Sequence, residues 1–172
     1  ETTILYAYVA FFVVLLTYGM ETAFFRFSHL ESDKRKVYST TLLSIITSSS
    51  LFMVIACFFS QEIANTIRFG EHPEYIQYFA LIIGLDAISS ISFAKLRQQN
   101  KAVRFAVIRL LNIFINIGLN LFFIVYCDFA IENNVDSVSF IEKIYNPEIG
   151  IGYIFIANLV ASAVTIALLI PD

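Results

Sequence analysis

The chain has 172 residues, 58% hydrophobic and 15% charged, with a mean hydropathy of +0.76 and a formal net charge of -3. Soluble domains run at about 45–50% apolar and about 25% charged, so a water-soluble globule of this length is excluded as a home for so much apolar surface. A pI near 5.3 leaves no basic field of the kind a nucleic-acid binder needs, and no nucleic-acid partner is expected.

The apolar residues form long blocks divided by short polar stretches. Each block approaches the roughly 20 residues that cross a hydrocarbon core about 30 Å thick. In chain order the spans are read at 4–25, 40–59, 75–94, 105–126 and 151–170, with Pro73, Pro147 and Pro171 outside all of them. The blocks are about twice as long as a barrel strand and lack its alternation. The expected fold is all-α, a polytopic transmembrane helix bundle of about five spans forming one unit over residues 1–172, with the lipid bilayer as its solvent. Apolar blocks stand close to both Glu1 and Asp172, so the chain reads as a piece of a longer protein.

Orientation follows from the cations. Residues 26–36 carry Arg26, Lys34, Arg35 and Lys36, and residues 95–104 carry Lys95, Arg97, Lys101 and Arg104, with Arg109 just inside the fourth span. The other connections hold only Arg68 and Lys143. That asymmetry puts the basic loops 26–36 and 95–104 in the cytoplasm. The acidic stretch 128–148 then lies on the opposite side. There Val135, Val138, Phe140, Ile141, Ile144 and Tyr145 recur at mixed spacings of three and four, which predicts a short interfacial amphipathic helix.

Enzyme signatures are missing: there is no G-x-S-x-G, H-E-x-x-H, C-x-x-C or phosphate-binding loop. His29 and His72 fall in loops on opposite sides and cannot share a metal, and Cys57 and Cys127 belong to apolar blocks. The chain reads as non-enzymatic, with no catalytic residue, no metal and no cofactor.

What the spans do contain is ionisable and amide side chains at membrane depth, where Asp, Lys or Arg costs about 2.5–3.5 kcal/mol at the bilayer centre. Glu21 and Asp86 are the deepest acids. Each is either a packing hydrogen bond or ion pair, or a carboxylate that takes a coupling ion or proton. Arg109, Asn112, Asn116 and Asn120 fall within an arc of about 80° on one face of the fourth span. That face lines either a polar cavity or a partner helix. Thr40, Ser44, Thr47 and Ser48 give the second span a weaker polar face, as Asn158, Ser162 and Thr165 do the fifth. Glu21 and Arg26 are about 140° apart around their helix, so each needs a partner elsewhere. Arg26, Arg97, Arg104 and Arg109 suit a ring at the cytoplasmic mouth; for Arg97 and Arg104 plain anchoring near headgroups is the favoured reading.

The stretch Gly19-Met20-Glu21-Thr22-Ala23-Phe24-Phe25-Arg26-Phe27 and the later Lys95-Leu96-Arg97-Gln98-Gln99-Asn100-Lys101-Ala102, leading into residues 104–120, resemble the bacterial polysaccharide-precursor flippases. These belong to the multidrug/oligosaccharidyl-lipid/polysaccharide exporter superfamily. The resemblance extends over nearly the whole chain in helix order, loop lengths and placement of the basic loops. It implies helices two to six of about twelve to fourteen, part of the N-terminal lobe of a MATE-like transporter in the bacterial cytoplasmic membrane. Two six-helix lobes would enclose a cavity and export an undecaprenyl-diphosphate-linked oligosaccharide for surface polysaccharide by alternating access. The partners it implies are that lipid-linked substrate, a preceding helix and a C-terminal lobe of the same protein. Arg26 and Arg109 are the matching candidates to receive the diphosphate, with Asn112, Asn116 and Asn120 along the cavity. A cation-coupled multidrug exporter of the same superfamily would also use a buried carboxylate such as Asp86 and would need less basic lining. A membrane-embedded glycan polymerase or acyltransferase would place its reactive groups in the 128–148 loop, which holds acids but no His and no Arg.

Overall fold

The structure, a computed structural model, describes residues 2–31, 33–66, 73–127, 129–130 and 152–170. The stretch expected to form an amphipathic helix, and Arg68, His72 and Lys143, lie outside these residues.

The helices are α1 (Thr2–Thr17), α2 (Met20–Leu30), α3 (Lys34–Phe58), α4 (Ser60–Thr66), α5 (Pro73–Gln98), α6 (Ala102–Asn120) and α7 (Gly152–Leu169). The chain beyond α6 continues as π-helical turns over Leu121–Cys127. Among the described residues five stretches are long and apolar enough to cross a membrane: Ala10–Leu30, Lys34–Phe58, Pro73–Gln98, Ala102–Cys127 and Gly152–Leu169. They coincide in number and order with the five expected blocks, and the chain is consistent with a multi-pass membrane protein.

The helix limits differ from the hydropathy limits for a simple reason: backbone hydrogen bonding continues where apolar composition stops. The second span starts at Lys34 rather than near residue 40, because Asp33 Oδ1 accepts from the Lys36 backbone N–H at 3.1 Å and caps the helix. The third runs on to Gln98, with Lys95 and Arg97 in its last turn, where cations suit the negative end of the helix dipole.

The first span departs further from expectation, being broken between α1 and α2. Tyr18 and Gly19 both have positive φ, 29° and 73°. Glycine takes the second position without a Cβ penalty, whereas an L side chain in the left-handed region costs about 1–2 kcal/mol. The break redirects α2, which packs on α3 and α5.

α5 is the central element, and among the described residues each of the other α-helices packs against it. Of its apolar window 61% is buried, against 6% for the span made by α6 and its π-helical turns. Its buried residues, from Tyr75 and Ile76 through Ile82, Ile83, Ala87 and Ile91 to Leu96, cover about two-thirds of the way around the axis, as befits a helix with neighbours on several sides. The surface is the reverse of a soluble protein's. Val14, Leu51, Val54, Phe58, Val103, Phe114 and Ile170 are exposed, while Ser28, Thr41, Ser49, Ser89, Ser162 and Thr165 are buried.

In hydrocarbon, apolar surface alone gives helices no reason to associate, so close van der Waals contact has to do it. The α3–α5 pair meets that need with Thr41, Ile45, Ser49 and Ala56 buried on α3 and Gly84 buried on α5. A Cβ on Gly84 would come within 2.6 Å of Met53 Sδ and 2.8 Å of its Cγ. Gly84→Val is therefore expected to destabilise the detergent-solubilised full-length protein by about 1–3 kcal/mol in thermal unfolding. Adding Met53→Ala should recover most of that loss; no recovery would mean that another contact sets the need for glycine.

Candidate functional site

The polar groups at membrane depth gather on α5, α6 and α7. Asp86 stands at the middle of α5, roughly 18–20 Å from either end at about 1.5 Å per residue. Its Oδ1 accepts from Ser162 Oγ of α7 at 2.8 Å. The charge of Arg109 on α6 also acts on it. Ala157, Ala161, Ser162 and Thr165 are all buried on α7, and these small side chains let the three helices approach closely enough for such short bonds.

The α6–α7 contact carries a ladder of amides and hydroxyls. Asn112 Nδ2 donates to Thr165 Oγ1 at 2.9 Å, and that hydroxyl donates to the Ala161 carbonyl at 2.8 Å. Asn116 Nδ2 donates to Asn158 Oδ1 at 3.1 Å, and Asn120 Nδ2 to Asn116 Oδ1 at 2.7 Å. At the ladder's end Asn120 Oδ1 is buried and has no donor among the described residues. The asparagine stripe thus faces α7, and its partners are the polar residues that give the fifth span its own hydrophilic face.

Toward the basic end of the bundle the arginines lie among aromatic rings. Arg97 Nη2 is 2.7 Å from Glu21 Oε1, joining the end of α5 to the start of α2. The Arg97 guanidinium lies 5.8 Å from the Phe25 ring centre and 5.7 Å from that of Phe105. Phe105 meets Phe93 edge to face at 5.3 Å, and Arg109 lies 4.8 Å over Phe93. A guanidinium keeps its charge and stacks on ring faces, so the array holds two fixed cations along one side of α5. Asp86, Phe93 and Arg97 fall within about 40° of one another on that helix, which is why one face carries the whole series.

Each candidate residue now has a place. Glu21 has the partner it needed, but it and Arg97 are both partly exposed, so the pair contributes only about 0–1 kcal/mol. Asp86 and Arg109 lie near one another without forming an ion pair. Arg26 is exposed on α2 and has no bonded partner among the described residues, so it joins neither group. Arg97, favoured from sequence as a headgroup anchor, stands exposed in the last turn of α5 and also pairs with Glu21, a contact that spacing alone did not predict. Its eleven-residue distance from Asp86, three helical turns, shows only that the two share a face of α5. Arg104 Nη2 reaches the Leu168 carbonyl at 3.4 Å, near the end of α7.

The chain matches no protein-family model, no characterised protein and no solved structure.

The ladder makes a quantitative prediction. In the full-length protein, a double-mutant cycle of Asn112→Ala and Thr165→Val, read by unfolding in mixed micelles, should give a coupling of about 0.6 kcal/mol and at most about 1.7 kcal/mol. A coupling indistinguishable from zero would mean that this amide and hydroxyl do not hold α6 to α7.

Proposed function

We propose that this chain belongs to a membrane transporter whose moving parts include the α5–α6–α7 seam, and that its cargo is an anionic, lipid-linked oligosaccharide flipped by alternating access for surface polysaccharide synthesis. The observation that carries this reading is the set of charged groups along one side of α5, namely Asp86 at mid-helix, the exposed Arg109 stacked on Phe93 from α6, and the partly exposed Arg97–Glu21 pair at the end of α5. Ionisable groups at membrane depth are costly and mark transport paths more often than lipid contacts. Guanidinium groups stacked on rings present forked donors suited to phosphate oxygens, which fits a diphosphate-bearing cargo.

The polysaccharide-precursor flippase reading, with the chain as helices two to six of a MATE-like protein in the bacterial cytoplasmic membrane, rests on the motifs around Glu21 and Arg97. In this reading Arg26, exposed at the basic end, meets substrate at the cytoplasmic mouth, and Arg109 takes it deeper. The asparagines at positions 112, 116 and 120 then form the hinge surface on which α6 moves against α7. A second reading, a cation-coupled drug exporter, is favoured by one feature: Asp86 sits mid-membrane with a single hydroxyl partner, an arrangement a proton or cation could exchange into.

The two readings separate by experiment. In the full-length protein, Arg109→Ala and Arg26→Ala are each expected to abolish surface polysaccharide while membrane insertion is unchanged. Normal glycan output from both variants would remove the anionic-cargo reading. Loss of drug resistance in Asp86→Asn, with glycan output intact, would put the exporter in its place.

A further inference from the structure

α2 is an eleven-residue helix set between two joints. At one end Tyr18 and Gly19 have φ of 29° and 73°. A Cβ on Gly19 would meet nothing within 4 Å, so the glycine serves the backbone conformation and not packing. At the other end Glu31 and Asp33 leave the helical region, with ψ of 140° and 80°.

The helix between these joints is thinly packed. Only Phe24 and Ser28 are buried, and the Ser28 hydroxyl donates to the Phe25 carbonyl of its own helix, so it ties α2 to no neighbour. A groove of about 390 Å³ separates Ala23 and Phe27 of α2 from Val37 and Thr40 of α3. A second space of about 470 Å³ is lined by Phe24, by Tyr38 of α3, and by Gln98 and Gln99 at the end of α5. α2 therefore has room on two flanks.

Beyond Met20, which packs beside the first joint, two contacts hold it. Phe24 fills the bundle side, its ring meeting Tyr38 edge to face at 6.2 Å. Glu21 and Phe25, about 40° apart around the helix, both meet Arg97 of α5. Glu21 Oε1 is 2.7 Å from Arg97 Nη2, and the Phe25 ring centre is 5.8 Å from the guanidinium. Among the described residues no other side-chain hydrogen bond or ion pair runs from α2 to another helix. Glu21 stands two residues from Gly19, so this pair sets the angle of the joint itself.

We propose that α2 is a movable strap at the basic end of the bundle, held closed against α5 by the Glu21–Arg97 pair. Loss of the pair lets the helix swing about its two joints, which carries Phe24 away from Tyr38 and opens the space beside it to water. A partly exposed ion pair shifts such an equilibrium by a factor of about two to five, enough to bias the strap and too little to lock it. The device consists of α2, its joints and Arg97, and it stands whichever cargo the protein moves.

The test is pulsed electron–electron double resonance between nitroxides at Thr22 and Gln99, both exposed, in the full-length protein with its other cysteines replaced and held in lipid nanodiscs. The parent is expected to show a dominant short distance and a minor longer one. Glu21→Gln and Arg97→Gln should each raise the longer population about two- to fivefold, and the exchange of Glu21→Arg with Arg97→Glu should return it toward the parent value. Salt at about 1 M should act on the parent as either single variant does, and leave Glu21→Gln unmoved. Gly19→Ala penalises the left-handed closed joint and should raise the longer population with the ion pair intact. Gly118→Ala on α6, where a Cβ also meets nothing, should not. An unchanged distribution in both single variants and at high salt, a Gly19→Ala protein indistinguishable from its parent, or an exchange variant as open as the single ones would each overturn the strap.

Discussion

A polar side chain in hydrocarbon has no water to turn to, so it must find its partner within the protein. That constraint organises this bundle. Asp86 at the middle of α5 requires a donor, and Ser162 of α7 supplies it. The asparagines of α6 require donors and acceptors in turn, and Asn158 and Thr165 of the same α7 supply those. α7 is thus fixed against both neighbours by bonds that lipid cannot replace, while α3 is held to α5 by shape, through Gly84 and Met53. The two modes differ in consequence. One seam is set by shape and the other by directional bonds, so α3–α5 and α6–α7 answer to different kinds of substitution.

Charge is divided along the bundle as well as across it. The residues at the basic end do different work according to what they touch. Glu21 and Arg97 tie α2 to α5 just inside the membrane, and the rings of Phe25, Phe93 and Phe105 give the arginines apolar faces to stack on. Lys34, Arg35 and Lys95 surround a cavity at the same end, Lys95 and Arg97 both belonging to the last turn of α5. Arg97 and Arg109 are exposed cations steadied by ring faces, whereas Lys34, Arg35 and the half-buried Lys95 border the cavity.

Much of this was legible in the sequence, because span number and order depend on block length, which hydropathy reads directly. The face of α6 that carries Asn112, Asn116 and Asn120 was equally visible, since helical periodicity fixes which residues lie together. Its partner was not, because nothing in one helix's spacing says which neighbour it meets; α7 is identified only by the bonds themselves. The break at Tyr18–Gly19 escaped notice because one glycine among apolar residues does not alter a hydropathy average, and its positive φ is a property of backbone alone. The Arg97–Glu21 pair was hidden for a related reason. Near a helix end a cation reads as an anchor, and only the return of α2 toward α5 brings Glu21 to it.

The central claim is that the membrane-depth polar groups face inward on α5, α6 and α7 and leave apolar residues outside. A nitroxide scan of α6 and its π-helical turns from residue 110 to 122, in the full-length protein in bilayers, measures it through collision with lipid-dissolved oxygen. Oxygen accessibility should oscillate with a helical period, lowest at Asn112, Asn116 and Asn120 and highest near Leu110, Phe114 and Leu121. A flat profile, or maxima at the asparagines, would contradict it.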